Sequence, residues 1–242
     1  LMCNGWHPLA ACLLTMAICV LTGFINGTLV AGCKLPPFIA TLGTMQVARG
    51  IAQMVNNNMN TNSIGEFAGA FRDFFYYGRF LWFYNTFWIA VVVWIIFNFI
   101  LSQTRTGRHL YAIGSNIDAA KLSGVSVYWT TTKAYLVSAA CAGLVGLIQC
   151  ATTGTGTMDA GLSYEMYAVA ASVIGGVSTL GGQGILLGTV VGAGVWSVLS
   201  NGLQFAGVAV GPRNVIIGVI VVLSVLADVV ARSGRFSRKP KS

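Results

Sequence analysis

Residues able to do chemistry are scarce in this chain. Two histidines, six cysteines and six carboxylates occur among 242 residues, and none stands where catalysis or metal binding would need it. His7 and His109 share no ligand spacing, no CxxC pair occurs, and neither paired acids nor a Ser-His pair falls at a useful separation. Cys12, Cys19, Cys33, Cys141 and Cys150 read as small apolar residues. No GxxxxGK[ST] loop is present, so any nucleotide must be held by another protein. The polar groups that remain are of another kind. Thr41, Thr44, Gln46, Asn98, Gln149, Ser172, Ser178, Asn201 and Gln204 interrupt apolar runs, Arg49 lies inside one, and Glu165 precedes the longest. Short polar side chains in an apolar run form hydrogen bonds with a neighbouring helix or with a passing polar solute. An arginine there faces a cavity or partner, or snorkels to the interface. Glu165 reads as a contact for solute or partner at a mouth, or as a solvated loop charge.

The elements that must position these groups belong to a membrane protein. The 14 basic and 6 acidic residues make up 8% of the chain, against roughly 25% in a soluble domain. Hydrophobic residues account for 55%, and 30 glycines leave little to build a wetted surface. The same numbers exclude disorder, a collagen-like chain and a disulfide scaffold. The net charge of +8 points to topology and anionic lipid; nucleic-acid binding explains it poorly at this apolarity.

A helix crosses the hydrocarbon with about 20 mainly apolar residues. Charge-free or nearly charge-free runs at 1–33, 38–55, 80–101, 134–158, 166–212 and 215–230 meet or approach that length. The run 166–212 has 47 residues, which as one helix would reach roughly 70 Å, so it must fold back. The glycines of 178–184 are the expected turn. About seven spans result, in one transmembrane domain over 1–231 followed by a basic tail, 232–242. Trp82, Trp88 and Trp94 suit interface or lipid-facing positions of one span.

Short cytoplasmic loops collect Lys and Arg. Lys34, Arg105, Arg108, Lys121, Lys133, Arg232, Arg235, Arg238, Lys239 and Lys241 then lie inside, and Glu66, Asp73, Asp159 and Glu165 outside, with Arg72, Arg79 and Arg213 as exceptions. With 152–165 outside and the tail inside, three crossings must follow Glu165. Leu1 falls outside on this count, which predicts further spans before it.

The inside connection 103–133 is too patterned for a tether. Asn116 is a good N-cap, Asp118 favours the first turn, Ala119 and Ala120 favour helix, and Gly124 can close it. A helix this short is marginal alone and needs a docking surface. Ile117, Leu122 and Val125 point to a partner protein, or to the membrane face of the same chain.

Asp118-Ala119-Ala120, three residues, then Gly124 resembles the E-A-A-x-x-x-G element of permease subunits of ATP-binding cassette importers, with Asp for Glu. Gly107-Arg108, Tyr111-Ala112-Ile113-Gly114, Asn116 and Ser123-Gly124-Val125 extend the match to the ribose and galactose type of sugar permeases. So do Pro37-Phe38-Ile39-Ala40-Thr41-Leu42-Gly43-Thr44-Met45 with Arg49-Gly50, and Val173-Ile174-Gly175-Gly176-Val177-Ser178 followed by Gly181-Gly182-x-Gly184. One departure is Glu165-Met166-Tyr167, where the family commonly has Glu-Leu-Asp.

The resemblance implies an all-α, polytopic transmembrane helical bundle that carries out transport and not catalysis, in the bacterial cytoplasmic (inner) membrane with its C-terminus in the cytoplasm. It implies a monosaccharide as cargo and three kinds of partner: ATP-binding cassette ATPase subunits carrying ATP and Mg, a second permease subunit, and an external sugar-binding protein. Gly107, Arg108, Gly114, Asn116, Asp118, Ala119, Ala120 and Gly124 would form the coupling helix that contacts the ATPase, with Asp118 capping and orienting it. Thr41, Gly43, Thr44, Arg49, Glu165, Gly175, Gly176, Ser178, Gly181, Gly182 and Asn201 would line or pack the pathway, and the Gly188-x-x-x-Gly192 pair would form a pathway wall, a subunit interface or a helix contact within the chain. Alternatives are an importer for another polar solute such as a branched-chain amino acid, and an ATP-independent secondary transporter.

Overall fold

The computed structural model describes residues 7–64, 69–179 and 181–232. Glu66, Leu180, the first six residues and the basic tail from residue 233 lie outside the described residues. The chain divides into two compact units, 1–100 with 120–161, and 101–119 with 162–242.

The first unit is built on α1 (Pro8–Ala31) and α7 (Val127–Thr153). Pro8 opens α1 at a position where its missing N–H costs nothing, and His7 Nδ1 accepts from the Leu9 amide at 3.4 Å. Gly23 and Gly27 form a GxxxG stripe that meets α7 at backbone distance. A Cβ on Gly27 would stand 2.9 Å from Thr132 Cα, and one on Gly23 2.8 Å from the Tyr135 carbonyl. In lipid, where apolar side chains gain nothing by leaving their solvent, such close contact drives association. α2 (Pro37–Val55) packs on α1, and the Thr44 hydroxyl meets Asn26 Oδ1 at 2.7 Å.

α7 begins seven residues before the expected start at 134 and stops before 158. Gly154 ends it in the left-handed region at φ +69°. Past that stop the 61–64 and 154–158 backbones pair, with Thr61 N–H on the Gly156 carbonyl at 2.9 Å and Ile64 N–H on the Gly154 carbonyl at 2.8 Å. Arg72, which ends the short α3 (Gly69–Arg72), donates from Nε to the Ala151 carbonyl at 3.3 Å, a cation at a helix C-terminus. Beneath lie buried Ala11, Ile64, Phe71, Leu147 and Ala151. A π-helical turn (Asp73–Tyr77) and a hairpin of β1 (Arg79–Phe80) and β2 (Phe83–Tyr84), paired Arg79 to Tyr84 and Phe80 to Phe83, lead into α4 (Asn85–Gln103).

The second unit holds α5 (Arg105–Ser115), the start of α6 (Ile117–Leu122), α8 (Tyr164–Ile174), α9 (Leu186–Phe205) and α10 (Val210–Arg232). Its core is Ala170, Ala171, Trp196 and Ile217, with the Tyr167 ring tilted against Trp196 at 5.2 Å.

The helical bundle is as expected, and the chain does fold back within 166–212. Among the described residues four helices are long and apolar enough to cross a membrane: α1, α4, α7 and α9. α8 is not. Its 11 residues reach only about 16 Å, half the hydrocarbon. The crossing expected there is a half-helix followed, among the described residues, by irregular backbone at 175–179 and 181–185, because Gly176 turns the chain left-handed at φ +84°.

Candidate functional site

The connection between α4 and α7 is two short helices that meet at Asn116. Thr104 Oγ1 accepts from the Gly107 amide at 3.4 Å and starts α5. The sequence reading gave one helix here; α5 went unrecognised although its spacing carried the signal, with Gly107, Leu110, Tyr111 and Gly114 recurring at helical intervals.

α6 is bracketed by its own side chains and glycine. Asn116 breaks from α5 in extended conformation, and its Oδ1 accepts from the amides of Asp118 and Ala119, both at 3.0 Å. At the other end Gly124 stands at φ +78°. Its N–H meets the Lys121 carbonyl at 2.9 Å and that of Val125 the Ala120 carbonyl at 3.0 Å, the paired bonds of a Schellman stop. The capping oxygen therefore belongs to Asn116; Asp118 is exposed in the first turn, where its charge complements the helix dipole. Of the alanine pair, Ala120 is buried and Ala119 exposed. Leu122 is 91% and Ile117 49% exposed, so α6 displays apolar side chains on a connection that also carries Arg105, Arg108, Lys121 and Lys133.

The second feature is the break between α8 and α9. α8 ends as α6 does, with Gly176 N–H on the Val173 carbonyl at 2.9 Å and Val177 N–H on the Ser172 carbonyl at 3.0 Å. A loop follows, closed by Ser178 N–H on the Gln183 carbonyl at 2.9 Å, with Gly181 at φ +92° and Gly182 at φ +70°. This loop lies on α5. The Tyr111 hydroxyl donates to the Gly184 carbonyl at 2.8 Å. A Cβ on Gly181 would stand 2.7 Å from the Gly114 carbonyl, and one on Gly182 2.7 Å from the Ser115 amide. The glycines of two distant motifs are thus one contact, and it borders a cleft of about 290 Å³ lined by Leu101, Tyr111, Val177, Ser178, Gln183 and Thr189 among others.

The remaining expected residues are distributed. Gly175 packs against the Gly188 backbone, and Gly192 against the Ala171 carbonyl, so Gly188-x-x-x-Gly192 is an α8–α9 contact within the chain. Gly107 is buried in α5, and Arg108 is exposed one residue on. Thr41, Gly43, Thr44 and Arg49 lie on α2 in the first unit. There Thr41 Oγ1 bonds back to the Pro37 carbonyl at 2.9 Å, Gly43 faces open space and Arg49 is half-exposed. Glu165 is exposed in the first turn of α8, and Asn201 Nδ2 meets Ser197 Oγ at 3.2 Å on α9. Tyr111 stands inside the motif Tyr111-Ala112-Ile113-Gly114, and only the fold brings its hydroxyl to Gly184. Gly23 and Gly27 were missed although their spacing was visible.

The family model described as "Branched-chain amino acid transport system / permease component" matches residues 1–225. The galactose/methyl galactoside import permease protein MglC of Escherichia coli K12 is 34% identical over 234 residues, covering 94% of this chain and 67% of that protein. Its counterpart from Haemophilus influenzae is 33% identical, covering 93% and 68%. The ribose import permease protein RbsC of Escherichia coli K12 is 34% identical, covering 92% and 69%. No solved structure matches the chain.

Proposed function

This chain belongs to the family described as branched-chain amino acid transport system / permease component, and from that membership we propose that it is the membrane-spanning subunit of an ATP-driven importer of a monosaccharide. Sugar is favoured over amino acid because the relatives named above are permeases for galactose and ribose. The chain is a transport subunit, and the ATP and Mg belong to separate ATPase subunits. It pairs with a second permease and receives sugar from an external binding protein. The clustering of Lys and Arg on 103–133 and on the tail supports a cytoplasmic connection and C-terminus in the inner membrane.

The observation that carries the reading is α6, a six-residue helix capped at both ends, with Leu122 91% exposed. A rigid, apolar knob of that kind fits a groove of the ATPase. α5, joined to α6 at Asn116, is fixed to the break between α8 and α9 through Tyr111 and Gly114. Closure of the ATPase subunits on ATP would carry α6 and α5 with it, and the half-helix end would follow, moving the pathway between inward- and outward-facing populations. Ser178 and Gln183, beside the same cleft, are the polar groups best placed to feel that motion.

The test is uptake in vesicles holding the permease, ATPase and binding protein. Labelled galactose or ribose should enter only with ATP, and labelled leucine should not. Leu122→Glu should abolish uptake and ATPase co-purification while leaving membrane insertion intact. Uptake without the ATPase, or uptake unaffected by Leu122→Glu, would overturn the proposal.

A further inference from the structure

The hairpin 79–84 turns on two residues that are poorly suited to the turn. Leu81 stands at φ +49° and Trp82 at φ +72°, the left-handed pair of a two-residue hairpin loop that normally takes Asn-Gly or Gly-Gly. An L-residue there is strained, because its Cβ crowds the following carbonyl oxygen. What the turn gains is display, since Trp82 is 97% and Leu81 65% exposed.

The display is held rigidly. Asn85 N–H bonds the Gly78 carbonyl at 3.0 Å, Trp88 Nε1 donates to the Phe80 carbonyl at 2.9 Å, and Phe83 stacks on Phe87 at 4.8 Å. Arg79 lies over the Tyr84 ring at 4.8 Å and donates to its hydroxyl at 3.0 Å. The hairpin is therefore fastened to the first turn of α4.

That fastening sets its depth. α4 has 19 residues, is apolar enough to cross and buries none of its described side chains in the chain. At 1.5 Å per residue it covers about 28 Å, nearly the whole hydrocarbon thickness, so its first turn stands at the boundary. The tip, two strand residues farther along, is within about 7–10 Å of that plane. Tryptophan, tyrosine and a snorkelling arginine are the side chains favoured at that depth, and Arg79 is the only formal charge in 78–84.

We infer that the hairpin is an interfacial anchor whose Leu81-Trp82 tip lies among the lipid headgroups and upper acyl chains, fixing one end of α4 in the bilayer. The inference needs the chain to be in a membrane, which its family establishes, and is independent of cargo or motor.

Bromolipid quenching of the whole chain in phosphatidylcholine bilayers tests it. Emission of Trp82 is taken as the difference between the wild-type chain and Trp82→Phe. Bromine near the headgroup end of the acyl chain should quench that difference more than bromine near the methyl end, and aqueous iodide should leave it largely intact. Quenching by iodide and not by bromolipid would place the tip in water; protection from both would place it under protein, a second copy included. Either result overturns the inference. If Trp82→Phe does not insert, the emission added by Leu81→Trp gives the same reading with the same opposing outcomes.

Discussion

Gly124→Ala separates conformational strain from steric exclusion at the end of α6. Gly124 stands at φ +78°, and a Cβ built there meets nothing within 4 Å. The whole cost within the chain is therefore the left-handed backbone, roughly 1–2 kcal/mol for alanine. A helix of six residues has no reserve against it, because so short a segment is already below the length that is stable alone. That energy shifts the closed population about 5–30-fold. Asparagine visits the left-handed region more readily, so Gly124→Asn should shift it only a few-fold. The closing bonds supply the readout, Gly124 N–H on Lys121 and Val125 N–H on Ala120. Hydrogen exchange at positions 124 and 125, measured on the whole chain in lipid nanodiscs, should accelerate about 5–30-fold in Gly124→Ala and far less in Gly124→Asn. Equal acceleration in the two variants, or none in either, would refute the argument. Uptake should follow the same order, and Gly124→Trp should abolish it with insertion unchanged, the added loss measuring the space the ATPase needs.

Tyr111→Phe removes the donor to the Gly184 carbonyl and keeps the ring; a net loss of about 0.5–1.5 kcal/mol is expected. It should raise exchange of the 181–185 amides without touching α9, and lower sugar imported per ATP hydrolysed. Gly27→Val drives a branched side chain into Thr132 and should cost about 1–3 kcal/mol by overpacking, read as earlier proteolysis of α1 and α7 on heating. Thr132→Val should do the reverse or nothing. Thr132 is fully buried and its hydroxyl finds no hydrogen-bond partner among the described residues, so thermal unfolding should stay level or rise slightly.

Much of this architecture was legible because lipid makes simple demands. A chain with 8% charge and long uncharged runs must satisfy its backbone internally, which selects helices, and 47 residues without a charge cannot cross once. Asn116 and Gly124 were legible for a similarly local reason, because a cap and a left-handed stop depend on the residues beside them. The motif around Asp118 carried the family for the same reason, being contiguous in the chain.

What the linear order could not contain were pairings between distant backbones. Gly114 and Gly182 look like separate helix-weakening residues, and only the fold makes them one contact, because a missing side chain says that something comes close without saying what. The same holds for Gly27 on Thr132 and for Gly192 on Ala171, where the stripe was readable and its partner was not. Hydropathy likewise counts apolar residues without knowing where a helix ends; Gly176 ended α8 at half a membrane, and Leu81-Trp82 took a turn that their types disfavour. Composition determined that this chain is a helical membrane protein, local caps set the ends of the short helix α6, and the contiguous motif around Asp118 carried the family; tertiary contact decided which glycines touch, because close approach is a property of two surfaces and the sequence writes down only one at a time.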